Sequence, residues 1–194
     1  LFFFFDCLMM NIKTSCIILL ISSIMFPASV LGEGTDAISL EDKIKAAFIY
    51  NFTKYIEWVD DDTTDSFEIG IIGDSDIISP LLEIAARELV NNRKIEIIHF
   101  QDIQDFNSCN ILYISASEAD VLPDILKNID GRNILTISGN TGFALKGVAI
   151  NFVIIDGKIR FEININLINQ TGVLVNSHLL KLAILVEDEG ISGD

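Results

Sequence analysis

Phe67-Glu-Ile-Gly-Ile-Ile-Gly73 decides the fold. Its isoleucines run almost without a break, as in a strand whose two faces are both covered. Strands of that kind belong to parallel sheets, because parallel neighbours need crossover connections that lay helices over the sheet. Cys109-Asn-Ile-Leu-Tyr-Ile-Ser115 repeats the pattern, and Lys94–Phe100 and Asn133–Ser138 supply two further strands. Between them the spacing predicts helices. Ser79 as cap and Pro80 in the first turn open one that runs to about Val90, where Asn91-Asn92 breaks it. Pro123–Ile129 forms a shorter one.

Upstream, Ser39-Leu-Glu-Asp42 is an S-x-x-D capping pattern. Leu40, Ile44, Phe48, Tyr55 and Val59, joined by Ala47, Phe52 and Ile56, give the following helix an apolar face. It is expected to end near Trp58, before the solvated charge of Asp60-Asp-Asp62. Downstream the parallel pattern breaks. Gly147–Ile155 and Lys158–Ile165 flank Asp156-Gly157, a strong hairpin signal. In the second arm Ile159, Phe161, Ile163 and Ile165 alternate with Lys158, Arg160, Glu162 and Asn164, which predicts one apolar and one polar, half-exposed face. Helical pieces at Asn166–Gln170, stopped by Gly172, and at Ser177–Val186, capped by Ser177, close the chain. The expected fold is a single-domain α/β mixed sheet, largely parallel, with a C-terminal antiparallel hairpin and helices on both faces.

The N-terminus reads as an export signal. Lys13 supplies a positive start, Cys16–Phe26 an apolar run of 11 residues, and Val30 and Gly32 the small residues of a cleavage site. A retained anchor would need roughly 20 apolar residues. Residues 1–32 are therefore expected to leave, with Met9 or Met10 as the true start, and no stable membrane insertion follows. Residues 33–38 read as a flexible leader, 39–187 as the domain and 188–194 as an acidic tail. Losing Lys13 and Asp6 together leaves the formal charge of −15 unchanged. Such a surface repels phosphate backbones and anionic headgroups, which argues against nucleic acid. Cys7 and Cys16 depart with the signal, so Cys109 stands alone and no intramolecular disulfide can form. At the head of an apolar strand it reads as a buried small hydrophobe rather than a reactive thiol.

Signs of catalysis are missing. Gly70-Ile-Ile-Gly73-Asp74-Ser75 follows a strand but lacks the G-x-G-x-x-G fingerprint, and no G-x-x-x-x-G-K-[ST] occurs. Turn chemistry accounts for it better than a phosphate cradle. His99 and His178 are the two histidines, and no G-x-S-x-G elbow accompanies them. No cofactor and no metal centre is expected.

Lys45-Ala-Ala-Phe-Ile-Tyr-Asn-Phe-Thr-Lys-Tyr-Ile-Glu-Trp58 and Arg160-Phe-Glu-Ile-Asn-Ile-Asn-Leu167 continue this picture in a more specific way. With Thr171-Gly172 and Ser177-His-Leu-Leu-Lys-Leu-Ala183, with Gly73-Asp74-Ser75, and with Asn133–Ser138 followed by Phe143-Ala144 and Lys146-Gly147, their order and spacing resemble the YfiR family of exported bacterial proteins. The resemblance spans roughly residues 41–185. It implies a non-enzymatic periplasmic signalling protein that binds the periplasmic part of an inner-membrane diguanylate cyclase or histidine kinase, and so acts on cyclic di-GMP and biofilm growth. Two departures stand out. A single Cys109 cannot support the redox-linked cysteine pairs of the well-known repressor, and Val148 replaces a second glycine after Gly147.

Nine residues are candidates for partner or ligand binding. Lys45, Asn51 and Lys54 punctuate the first helix, either as its solvent face or as a contact surface. Asn51 falls near the apolar stripe and is expected to bridge a neighbouring backbone. Trp58, at the helix end, is the candidate surface anchor. Arg160, Glu162 and Asn164 from one strand face, with Ser177 and His178, form either a solvated face or a shallow polar recess. The alternative function is a periplasmic small-molecule-binding sensor, which would show a concave pocket with convergent polar groups. A homodimer stays open as a further association.

Overall fold

Alternation along the central strands builds the two sides of the molecule. In the computed structural model, which describes residues 39–58 and 65–187, β2 (Ser66–Ile72) turns Phe67, Ile69 and Ile71 to one side and Gly70 and Ile72 to the other. In β5 (Ile111–Ile114) Ile111 and Tyr113 join the first side, Leu112 and Ile114 the second. Gly70 is needed on the second side. A Cβ there would lie 2.8 Å from the Phe100 ring and 3.1 Å from Cys109 Sγ, so the space a side chain would occupy is already filled.

β2 pairs in parallel with β4 (Arg93–Phe100) and β5; β5 pairs in parallel with β6 (Leu135–Ser138), and β6 with β7 (Ile150–Ile155). The order β4-β2-β5-β6-β7 is the doubly wound 2-1-3-4-5 arrangement. β8 (Lys158–Asn164) returns antiparallel through Asp156 and Gly157, whose φ values of 50° and 69° are those of a type I′ turn. The fold is therefore the mixed α/β sheet that the patterning predicts, with α1 (Leu40–Phe52) and α2 (Ile78–Ala85) on one side and α3 (Leu122–Ile129) on the other. The described residues cluster as one unit.

Several boundaries differ from expectation. α1 stops at Phe52, not Trp58: Thr53 Oγ1 donates to Tyr50 O at 2.7 Å, and Ile56–Trp58 is pulled out as β1 against β9 (Val173–Val175). Its buried face is Ala46, Ile49 and Phe52, while Leu40 is 73% exposed and Ala47 is exposed. Phe48 and Phe52 stack into Phe152 and Phe161 with centroids 5.0–6.0 Å apart, and this contact sets the helix's rotation. α2 ends at Ala85, and Leu89–Val90 (β3) makes a second tight hairpin with β4. Asn91 and Asn92, at φ 49° and 67°, supply its turn rather than merely breaking a helix. The last helix, α5 (Ser177–Leu182), is capped by Asn176, whose Oδ1 accepts from His178 N at 2.8 Å, and not by Ser177. Ile184–Val186 leaves it as β10, parallel to β8 at the sheet edge. The expected signal, leader, cleavage site, Asp60-Asp-Asp62 and residues 188–194 lie outside the described residues.

Candidate functional site

In a doubly wound sheet, ligands enter at the carboxyl ends of the strands, where the winding reverses. Here that point lies between β2 and β5, and the chain fills it itself. Gly73, at φ +80°, faces Ser117 and Glu118 so closely that a Cβ would overlap Ser117 Oγ and Glu118 Oε1. Ser117 Oγ accepts from Asp74 N at 3.2 Å, and His99 Nε2 contacts Gly73 O at 3.0 Å. Glu118 would also repel a phosphate. The Gly73-Asp74-Ser75 loop is thus turn chemistry, as its composition suggested.

A cleft of about 420 Å³ opens instead further along the same end of the sheet, where β7 runs past the end of β6. Glu41 and Lys45 of α1 line it from one direction, Gly139 and Thr141 from the turn after β6, and Phe152–Ile155 and Glu162 from the hairpin. Lys45 Nζ pairs with Glu41 at 2.6 Å, one helical turn back, and only 11% of its side chain is exposed. It sits over Gly139, 3.0 Å from where a Cβ would be, with the Tyr113 hydroxyl at the same place. Burial, then the Asp42 charge, push the Tyr113 hydroxyl up to about 12. Opposite, Glu162 Oε2 accepts from Asn151 Nδ2 at 3.1 Å; Asn151 is fully buried and its Oδ1 has no partner.

Two of the nine candidates, Lys45 and Glu162, therefore meet in this cleft. Arg160 is exposed on the same strand but is not among the cleft's lining residues. Asn164 departs from the expected polar face: it is fully buried, its Nδ2 donates to Ala144 O at 2.8 Å, and its Oδ1 accepts from Leu167 N to cap α4 (Ile165–Gln170). Asn51 is exposed rather than buried beside the apolar stripe, because the stripe lies on a different face of α1. Lys54 is exposed, with Nζ 4.3 Å from the Tyr50 ring centroid, and the Tyr50 hydroxyl donates to Glu88 at 2.7 Å.

Trp58 is half-buried, edge-on to Phe67 at 4.9 Å, and its Nε1 donates to Asn110 O at 3.2 Å. Ser177 and His178 are exposed, and His178 stacks on Tyr55 at 6.1 Å. Cys109 is buried, and desolvation pushes its thiol up to about 12. Gly139 and Thr141 line the cleft and escaped the sequence reading, as did the buried Asn151 that bonds Glu162 from behind. A Ser-Gly step after a buried strand was the one visible signal for Gly139 and Thr141.

Among the described residues no group of three or more His, Cys, Asp or Glu is placed to hold a metal ion, and no helix is long and apolar enough to cross a membrane. Fold and cleft together define a doubly wound α/β domain in which Ser117 and Glu118 occupy the β2–β5 switch point and a cleft of mixed polar and apolar lining opens beside a sheet edge. The chain belongs to the YfiR/HmsC-like family, which matches residues 42–184. That membership supports a non-enzymatic signalling role, in a family that is typically periplasmic. None of the curated proteins matches the sequence.

Proposed function

We propose that this protein is a periplasmic regulator that binds the periplasmic part of an inner-membrane diguanylate cyclase or histidine kinase and modulates its output. The observation that carries the reading is the family match across residues 42–184, which takes in nearly every described element. The plugged switch point fits it, because the crevice that such folds use for nucleotide chemistry is filled by Ser117 and Glu118. Export by residues 1–32 would place the domain in the compartment this role requires.

Affinity capture from cross-linked envelopes, with mass spectrometry of the recovered proteins, tests it. Recovery of one membrane cyclase or kinase, together with a change in cyclic di-GMP or kinase output on deletion, supports the reading. Recovery of neither across several growth conditions removes it.

The second reading, a periplasmic small-molecule sensor, is favoured by one feature. The 420 Å³ cleft sets Lys45 and Glu41 across from Glu162, so both signs of charge face one open concavity. A thermal-shift screen of polar metabolites, repeated on Lys45→Ala, would separate it from the first.

A further inference from the structure

The hydrogen bonds of β7 leave part of one strand edge unused. Asn164 N donates to Ala149 O at 2.9 Å. With the register, this makes Asn151–Glu162, Val153–Arg160 and Ile155–Lys158 the hydrogen-bonded pairs of the β7–β8 ladder. Phe152 and Ile154 therefore turn their N–H and C=O groups the other way, toward the position of β6. β6 reaches only Ile150 and Asn151. The Ser138–Asn151 pairing engages Ile150 O and the Phe152 N–H, so on that side the Phe152 carbonyl and both backbone groups of Ile154 have no described partner. The cleft occupies the place a longer β6 would have filled.

Such an edge is a template for another strand unless it is short, charged or covered. This one has apolar residues at its far end, Ile154 at 59% and Ile155 at 44% exposed, and lies within a cleft rather than on a flat rim. Lys45 is already paired with Glu41, so Glu162 leaves the lining net negative. The whole chain carries −15. A second copy would bring the same charge to the cleft, whereas a basic segment is drawn to it.

We propose that the free edge of β7 at Phe152–Ile155 takes up an extended, basic segment of the partner protein as an added strand continuing the line of β6. The segment's main chain bonds the Phe152 carbonyl and the N–H and C=O of Ile154, its alternate side chains lie on the two faces of the sheet, and a basic residue reaches Glu162. This rests on reading the chain as a regulator of a membrane partner.

The test uses the purified protein with periplasmic domains of membrane cyclases and kinases from the same cell, and short overlapping peptides tiled across them. One basic, alternately apolar peptide is expected to bind and to slow amide exchange at Ile154 by about tenfold or more. Ile154→Pro removes the outward N–H without touching the β8 ladder and is expected to weaken binding about tenfold. Because that variant can disturb the hairpin, Glu162→Lys and a peptide N-methylated at alternate residues serve as independent arms, each expected to lose affinity.

Binding that leaves the Ile154 amide unprotected and ignores all three changes overturns strand addition while the regulator reading stands. Absence of binding by every domain and peptide overturns both. Self-association that protects the Ile154 amide identifies a second copy as the occupant and overturns the basic partner segment.

Discussion

Asn164→Ala separates a structural role from a binding role at a residue whose sequence position suggests the latter. Asn164 is fully buried at the end of β8, donating to Ala144 O at 2.8 Å and accepting from Leu167 N at 3.2 Å. Alanine strands the Ala144 carbonyl, itself fully buried, at a cost of about 1–3 kcal/mol. It also removes the α4 cap, which costs about 1 kcal/mol more. The two losses together come to about 2–4 kcal/mol, a large fraction of the 5–15 kcal/mol typical of a whole domain. Urea unfolding followed by far-ultraviolet circular dichroism measures it. With a slope of about 2 kcal/mol per molar, the midpoint should fall by about 1–2 M at unchanged slope. Asn164→Asp should recover the cap but not the donor, and so fall between the two. A midpoint shift below about 0.3 M for the alanine variant, hence under about 0.6 kcal/mol, would refute the buried bridging role.

Gly70→Ala should destabilise by about 1–3 kcal/mol through overpacking against Phe100 and Cys109, measured by the same unfolding curves; an unchanged midpoint would mean the side chains yield freely. Trp58→Phe keeps the edge contact with Phe67 but gives up the bond to Asn110 O, and should cost about 1 kcal/mol. As the chain's one tryptophan, Trp58 should also emit at shorter wavelength when folded than in urea. Cys109 and Tyr113 rise from 9.0 and 10.0 to about 12 on folding, so the folded state holds their protons longer than the unfolded one. Their contribution is intact below pH 9 and is lost as pH climbs from 9 toward 12, which urea midpoints at increasing pH should show. The same burial predicts that Cys109 reacts with thiol reagents at neutral pH only in denaturant.

The family and the sheet were legible because their signals are local. Continuous isoleucines around Gly70 mark a strand covered twice, and Asp156-Gly157 between alternating arms marks a hairpin, whatever else the chain does. The candidate site was legible only in part. Lys45 and Glu162 stand 117 positions apart and meet because α1 packs over the hairpin through Phe48, Phe52, Phe152 and Phe161. Asn164 continues the polar alternation of Lys158, Arg160 and Glu162, yet it sits where β8 turns into α4, and there the same face is interior. Asn151 gave no signal, since an asparagine between apolar residues is read as a solvated position until its strand is placed mid-sheet.

By itself the sequence determined the central strands, the two-sided burial of the sheet they form, the hairpin and the kinship of the chain, because each follows from residue type and short spacing. The tertiary structure decided which face of α1 is inside. Apolar residues lie on more than one side of that helix, and packing against α2 and the aromatic cluster on β7 and β8 selects Ala46, Ile49 and Phe52 over Leu40 and Ile44. It also turned Ile56–Trp58 from helix to strand, since β9 offers those residues backbone partners from across the chain that helical bonds cannot match there. And it left β7 longer than β6, which no spacing in either strand reveals, because an edge becomes free only through the length of its neighbour.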